Sequence, residues 1–282
     1  MVPKASAGGD TTTTPELSAS CSLRRTASAS STATSTSPNE SAISPASICY
    51  DETLSTLRFA ESIKMVKVAS KLNVSLDPVA EIKKEIRARC PIILNFSTGT
   101  MLDDVSQQIA YIKGSRPEIA ALNMGTMNYA KYSERQKRFV FDMVFPNTYE
   151  KITRLLTAMN EAGVKPELEC FDSGHTQGIW PLLDMGVLKP PLQFSFIVNV
   201  LGGIPPMVES LQLQTKIMPA GSEWEVIGIS HCQWRMLATA LVLGGNIRVG
   251  LEDNFYLPDG RMARSNGELV EKAARMAREA CD

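Results

Sequence analysis

The sequence predicts an α/β fold, an incomplete (β/α)₈ barrel that keeps about six βα units, and three observations carry that prediction. Strand-like apolar runs recur at 92–96, 119–124, 167–171, 192–200, 224–229 and 247–251. Helical patterns lie between most of them, at 105–113, 149–162, 207–215 and 233–243, with a last one at 267–280. Most strand-like runs end in small or polar residues: Ser97-Thr98-Gly99, Asn123 to Asn128, Asp172-Ser173-Gly174-His175, Gly202-Gly203, Ser230-His231 and Glu252-Asp253. Strands alternating with helices argue for a parallel sheet with helical crossovers. Six polar tips on one edge resemble the catalytic face of a barrel that lacks its first two units.

The tip at 252–253 holds the densest chemistry. Ile247, Val249 and Leu251 alternate with Arg248 and Gly250, the period-two pattern of a strand. Arg248, Gly250 and Glu252 share one face, so Arg248 can approach a carboxylate at the strand end and keep it ionised. A carboxylate there can ligate a metal or take a proton; the plain alternative is a solvated turn.

The chain divides at two points. Residues 1–47 are Ser, Thr, Ala and Pro with almost no large apolar side chains, and such a segment is expected to be a disordered leader. Residues 48–77 hold an amphipathic helix at 51–71, with Asp51 as its cap and Leu54, Leu57, Phe59, Ile63 and Val66 at helical spacing. A further helix, 78–89, opens the third part, 78–282, and Pro91 stops it. An open barrel is expected to expose Phe96 and Phe194 and to favour assembly into a homo-oligomer.

Composition excludes several classes. With 282 residues and a net charge of −1, nothing points to nucleic acid or an anionic membrane as partner. No apolar run approaches the roughly 20 residues that span a bilayer, and the N-terminus lacks the apolar core of a signal peptide, so a cytoplasmic protein is expected. Six cysteines, at 21, 49, 90, 170, 232 and 281, form no C-x-x-C pair and read as reduced thiols.

Several segments in order, CPIILNFSTGT (90–100), RPEIAALNMGTMN (116–128), VKPELECFDSGH (164–175), PPLQFSFIVNVLGGIPP (190–206) and EWEVIGIS (223–230), closely resemble the beta-keto acid cleavage enzymes, the group that includes 3-keto-5-aminohexanoate cleavage enzyme. The resemblance covers about 85–280. It implies a TIM barrel with one divalent metal, usually zinc, that cleaves a beta-keto acid with acetyl-CoA to give acetoacetate and a CoA ester. Carried over, Glu252 is the metal-ligating carboxylate and Asp253 the general base, held by Arg248. Ser97 contacts the substrate carboxylate or keto group, and Asn123 and Thr126 complete that pocket. Gly202 and Gly203 could admit a CoA phosphate, or could form only a turn.

The sequence also departs from that pattern. Its histidines are His175 and His231, and the family's His-x-His metal pair is absent. His175 is a weak replacement ligand, more often a structural residue in such a place; His231 is expected to be incidental. The departure implies impaired activity or a catalytically dead barrel. Residues 34–67, with YDETLSTLRFAESIK at 50–64, resemble the C-terminal end of a kinesin motor domain. They carry no G-x-x-x-x-G-K-[ST] phosphate loop, so that likeness implies at most a microtubule-associated fragment without motor activity. The chain reads as a mosaic.

Overall fold

The computed structural model describes residues 21–23 and 78–281. Six parallel strands curl into a half-barrel: β2 (Asn95–Phe96), β3 (Ile119–Asn123), β6 (Lys165–Cys170), β7 (Gln193–Val198), β8 (Glu223–Gly228) and β9 (Asn246–Val249). A short strand β1 (Cys21–Leu23) adds antiparallel to the outer edge of β9, so the segment expected to be a disordered leader contributes three residues to the sheet. The sheet order is β1-β9-β8-β7-β6-β3-β2. The rest of the leader, the helix expected at 51–71 and the kinesin-like stretch lie outside the described residues.

All six parallel strands overlap the predicted runs, shifted by up to a few residues at their ends, because each run alternates between two buried faces. Leu168 and Cys170, Phe194 and Phe196, Trp224 and Val226, and Ile247 and Val249 pack against the helices. Phe194 therefore corrects the expectation of an exposed interior residue. It is fully buried on the helical side, stacked on Phe196 at 5.7 Å, with Trp224 at 5.7 Å from Phe196.

The helices on that side are α1 (Pro78–Arg89), α2 (Ser106–Ser115), α3 (Tyr149–Ala162), α4 (Ser173–Gln177), α5 (Trp180–Asp184), α6 (Val208–Ile217), α7 (Gln233–Val242) and α8 (Asn266–Cys281). In α3, buried Ile152, Leu155, Leu156 and Met159 recur at three- and four-residue spacing. Thr148 caps its start by accepting from the Lys151 amide, and Gly163, at φ 70°, ends it.

One element breaks the predicted rhythm. Between β3 and α3 the chain forms an antiparallel ribbon, β4 (Met127–Ser133) and β5 (Arg138–Phe145). Met127, Tyr129 and Phe145 of this ribbon pack on Phe171, Ile197 and Ile227 of the half-barrel's concave side. The ribbon thus roofs part of the strand tips.

Replacing Phe196 by Ala removes a ring from the centre of the stacked trio, and urea denaturation should report a loss of about 3–5 kcal/mol. A loss below about 1 kcal/mol would mean that the helical face is not the core.

Candidate active site at the strand tips

Alternation buries polar side chains on the concave side. Glu167 and Glu169 on β6, Ser195 on β7, Glu225 on β8 and Arg248 on β9 are all buried, and they occupy the odd face of β6 and its registered neighbours. Above them, at the carboxyl ends of the strands, lies a cleft of about 390 Å³. Ser97, Asn123, Tyr129, Glu169, Arg248, Glu252 and Asp253 line it, with Phe145, Phe171, Ile197 and Ile227 as apolar wall. A larger groove, about 650 Å³, lies on the outer helical face around Ile109, Tyr149, Arg154 and Met185. Volume favours that groove, but the cleft gathers the buried charges, and chemistry follows the charges.

Arg248 is the hub. Its Nε donates to Asp253 Oδ2 at 3.2 Å and its Nη2 to Asp253 Oδ1 at 3.2 Å, a two-pronged grip. Nη2 also reaches Glu252 Oε2 at 3.2 Å, and Nη1 reaches Glu169 Oε1 at 3.4 Å. β9 ends at Val249, and a turn held by the Asp253 and Asn254 amides on the Gly250 carbonyl folds Asp253 back towards the guanidinium. The turn brings both acids to Arg248, where strand alternation alone would have brought one.

Burial decides the protonation of these groups. It would loosen the proton on Arg248, but Asp253, Glu169 and Glu252 outweigh it and hold the guanidinium more firmly charged than usual. Burial pushes Asp253 up to about 6, against the opposing pull of Arg248. Burial likewise pushes Glu169 up to about 7, again opposed by Arg248 and aided by Glu252 and Asp253. Arg248 favours the ionised form of the carboxyl, while desolvation exceeds the ion-pair effect and leaves Asp253 at about 6.

Beneath this layer, Ser195 Oγ lies within hydrogen-bond reach of Glu167 Oε1 and, at 2.9 Å, of Glu225 Oε1. Asn95 Nδ2 donates to Glu167 Oε2. Glu167 is driven well above the usual carboxyl range by burial and then by Glu225 and Glu169.

A description of the beta-keto acid cleavage enzymes matches residues 69–281. The chain belongs to the beta-keto acid cleavage enzyme family. It is similar to the 3-keto-5-aminohexanoate cleavage enzyme of Fusobacterium nucleatum subsp. nucleatum, 35% identical over 195 residues, covering 69% of this chain and 67% of that one. The enzyme of the same name from Acetoanaerobium sticklandii is 36% identical over 198 residues, covering 69% and 68%. The 3,5-dioxohexanoate:acetyl-CoA acetone transferase of Paraburkholderia graminis is 30% identical over 210 residues, covering 68% of each. Among solved structures, apo ObcA is alike in fold, with a TM-score of 0.58 at 18% identity, covering 73% of this chain and 51% of that chain. The chain therefore spans about two thirds of the curated relatives and about half of ObcA. The family match begins after the kinesin-like stretch.

The residues singled out in the sequence do not all meet. Ser97, Asn123, Arg248, Glu252 and Asp253 share the cleft. Thr126 does not line it; its Oγ1 accepts from the Asn147 amide at 2.9 Å and ties the start of the ribbon to the start of α3. Gly202 and Gly203 are close-contact glycines. A Cβ would stand 2.2 Å from the Asn128 carbonyl at Gly202, where φ is +102°, and 2.6 Å from the Phe171 carbonyl at Gly203. His231 stacks on Tyr256 at 4.2 Å, away from the cleft.

Three residues escaped the sequence reading. Glu169 alternates with apolar Leu168 and Cys170 in a run taken as simply strand-like, although an acid every second residue signals a polar barrel face. Tyr129 lies close enough to Glu252 and Asp253 that, after burial, they raise its phenol. Lys151 is buried in α3 and donates to the Thr100 carbonyl at 2.8 Å and the Pro146 carbonyl at 2.6 Å. It bolts the Ser-Thr-Gly tip to the ribbon's end, and burial lowers its pKa.

The described residues do not fit a catalytic zinc, which takes three protein ligands. His175 Nδ1 accepts from the Phe171 amide at 3.2 Å, and its ring also hydrogen-bonds the Thr126 backbone. Asp253 is committed to Arg248, leaving Glu252 alone. Among the described residues no group of three His, Cys, Asp or Glu could hold a metal.

Folded Asp253 and Glu169 bind protons more tightly than they would unfolded, where values near 4 apply. Their stabilising effect is full below about pH 4 and is lost as pH rises through about 6 and about 7. The melting temperature should fall across that window, and Glu169→Gln should flatten the fall. An equally steep fall in Glu169→Gln would place the titration elsewhere.

Proposed function

We propose that the cleft binds a beta-keto acid and that Asp253 acts as the general base on it. The observation that carries this reading is the two-pronged hold of Arg248 on a buried carboxyl poised at about 6, in a chain of the beta-keto acid cleavage family. A base near neutrality combines a useful ionised fraction with real proton affinity. The carbon between carboxyl and keto group carries the proton that such a base can remove. Ser97 and Asn123, which line the same cleft as the carboxylates, supply hydroxyl and amide partners for the substrate's oxygens. Tyr129 and Phe145 wall the acyl chain.

Full acyl exchange with acetyl-CoA, giving acetoacetate and a CoA ester, is the reaction the family implies for the substrate and co-substrate. In this chain that exchange is impaired, because zinc ligands beyond Glu252 are not supplied by the described residues. What remains is ligand binding with proton exchange, or binding alone in a catalytically dead barrel. A microtubule-associated role would rest on residues 34–67 alone, and no described residue favours it.

Deuterium exchange into a beta-keto acid, followed by NMR above the uncatalysed rate, separates these outcomes. Asp253→Asn should slow exchange about 100-fold or more while leaving ligand-induced thermal stabilisation in place. Stabilisation without exchange in the unaltered chain would assign the dead barrel. Neither effect would remove the beta-keto acid from the proposal. After dialysis, the purified chain should hold well under about one zinc per chain, measured by atomic emission. Stoichiometric zinc would reveal ligands outside the described residues and make CoA-ester formation the assay to run.

A further inference from the structure

Removing a proton beside a keto group moves negative charge onto the keto oxygen, and a hydrogen-bond donor aimed at that oxygen lowers the barrier. The ribbon brings such a donor to the cleft in Tyr129. Along β4, Met127 and Tyr129 lie two residues apart and share a face, and both pack with Phe171, Ile197 and Ile227 of the half-barrel. The ring is held from the ribbon side too, with the Phe141 centroid at 5.5 Å and that of Phe145 at 6.0 Å. Phe145 in turn meets Phe171 edge-on at 6.3 Å. A ring fixed from both sides carries its hydroxyl to a defined place on the cleft wall.

That hydroxyl is uncommitted. Among the described residues it makes no hydrogen bond, whereas a phenol in a partly closed site ordinarily finds a partner. Burial, then the charges of Glu252 and Asp253, make it hold its proton more tightly than usual, so it remains a donor wherever Asp253 can serve as a base. The other donors of the cleft suit a different task. Ser97 Oγ already accepts from the Gly99 amide at 3.4 Å, and an aliphatic hydroxyl or the Asn123 amide is far less acidic than a phenol. Those two match the substrate's carboxylate, which is charged before and after the proton leaves. The keto oxygen gains its charge only as the reaction proceeds, and a donor placed there acts on the barrier more than on binding. Hydrogen bonds to an ionised oxygen are roughly twice as strong as neutral ones.

We propose that the Tyr129 hydroxyl is the oxyanion donor of the cleft, hydrogen-bonded to the keto oxygen of a beta-keto acid while Asp253 removes the neighbouring proton. This assignment rests on Asp253 being the base. The C–H bond breaks, its proton passes to the Asp253 carboxylate, and its electron pair spreads onto the keto oxygen as an enolate. Tyr129 keeps its own proton and shares it with that oxygen. In heavy water Asp253 exchanges the proton for deuterium and returns it to carbon.

Deuterium exchange into acetoacetate, the simplest beta-keto acid, tests the hydroxyl in the full chain. Tyr129→Phe removes one oxygen and keeps the ring contacts, so circular dichroism and acetoacetate-induced thermal stabilisation should persist. The kcat of exchange should fall about 100-fold, with KM within about threefold. The rise of kcat with pH should stay centred near the Asp253 value of about 6, because the base is untouched. Exchange in Tyr129→Phe within about threefold of the unaltered chain overturns the proposal and leaves Asp253 as the base. Loss of the thermal stabilisation with kcat preserved also overturns it, since the hydroxyl would then serve binding alone. An unaltered chain without exchange overturns both this assignment and the reading of Asp253 on which it rests.

Discussion

One buried positive charge, Arg248, organises the concave side of the sheet. Around and beneath it lie Glu169, Glu252 and Asp253 in direct contact, and Glu167 and Glu225 one layer down. Five ionised carboxylates against one guanidinium would be untenable in a site largely shut from water. The structure resolves the conflict by protonation. Glu167 and Glu225 flank the single hydroxyl proton of Ser195, and burial holds a proton on Glu167 far above the usual range. With that layer partly neutral, the field of Arg248 is directed upward, to Glu169 and Asp253. The result is a carboxyl at about 6 on Asp253 and about 7 on Glu169, where unopposed burial would raise both further and free solvation would leave ordinary carboxylates.

This arrangement requires that the tips be held, and backbone contacts do so. Lys151 ties the loop after β2 to the residues before α3 through two carbonyls. The Asn147 side chain donates to the Gly125 carbonyl at 3.2 Å while its amide donates to Thr126. Gly125 itself lies against the His175 ring, since a Cβ there would meet it at 2.2 Å. His175, Thr126, Gly202 and Gly203 therefore belong to one mechanical unit. They seat the ribbon on the half-barrel, with the Thr126 hydroxyl and the His175 ring engaged in hydrogen bonds there.

Sequence patterning revealed the fold well and the site in part. The parallel strands were legible because residues such as Leu168, Phe194 and Val226 must be apolar to meet the helices, and period two survives without tertiary context. The ribbon was not: its Tyr129, Phe141 and Phe145 fell between a strand-like run and the next helical pattern and were assigned to no element. Arg248, Glu252 and Asp253 stood out because three charges adjoin one strand end. Glu169 and Lys151 did not, since their partners lie 79 and 51 residues away in the chain. Gly202 and Gly203 were legible only as positions without a side chain, and the structure adds which carbonyls approach them.

Membership of the family and the chemistry available to this chain are therefore separate questions. The family likeness attaches to the whole matched segment, 69–281, whereas a metal site depends on a few donor atoms converging. Glu252 is more than half exposed at its side chain and shares Arg248 with two other acids, so its negative charge is already partly spent. A cation arriving there would compete with the guanidinium for Glu252 and would be repelled by it. A second and third donor would have to overcome both effects. The Asp253 carboxyl faces no such demand, because its protonation is set by burial and by Arg248, both inside the half-barrel. The proton transfer proposed for Asp253 thus rests on residues that are all described, whereas a zinc-dependent step would need donors beyond Glu252 that the described residues do not bring together.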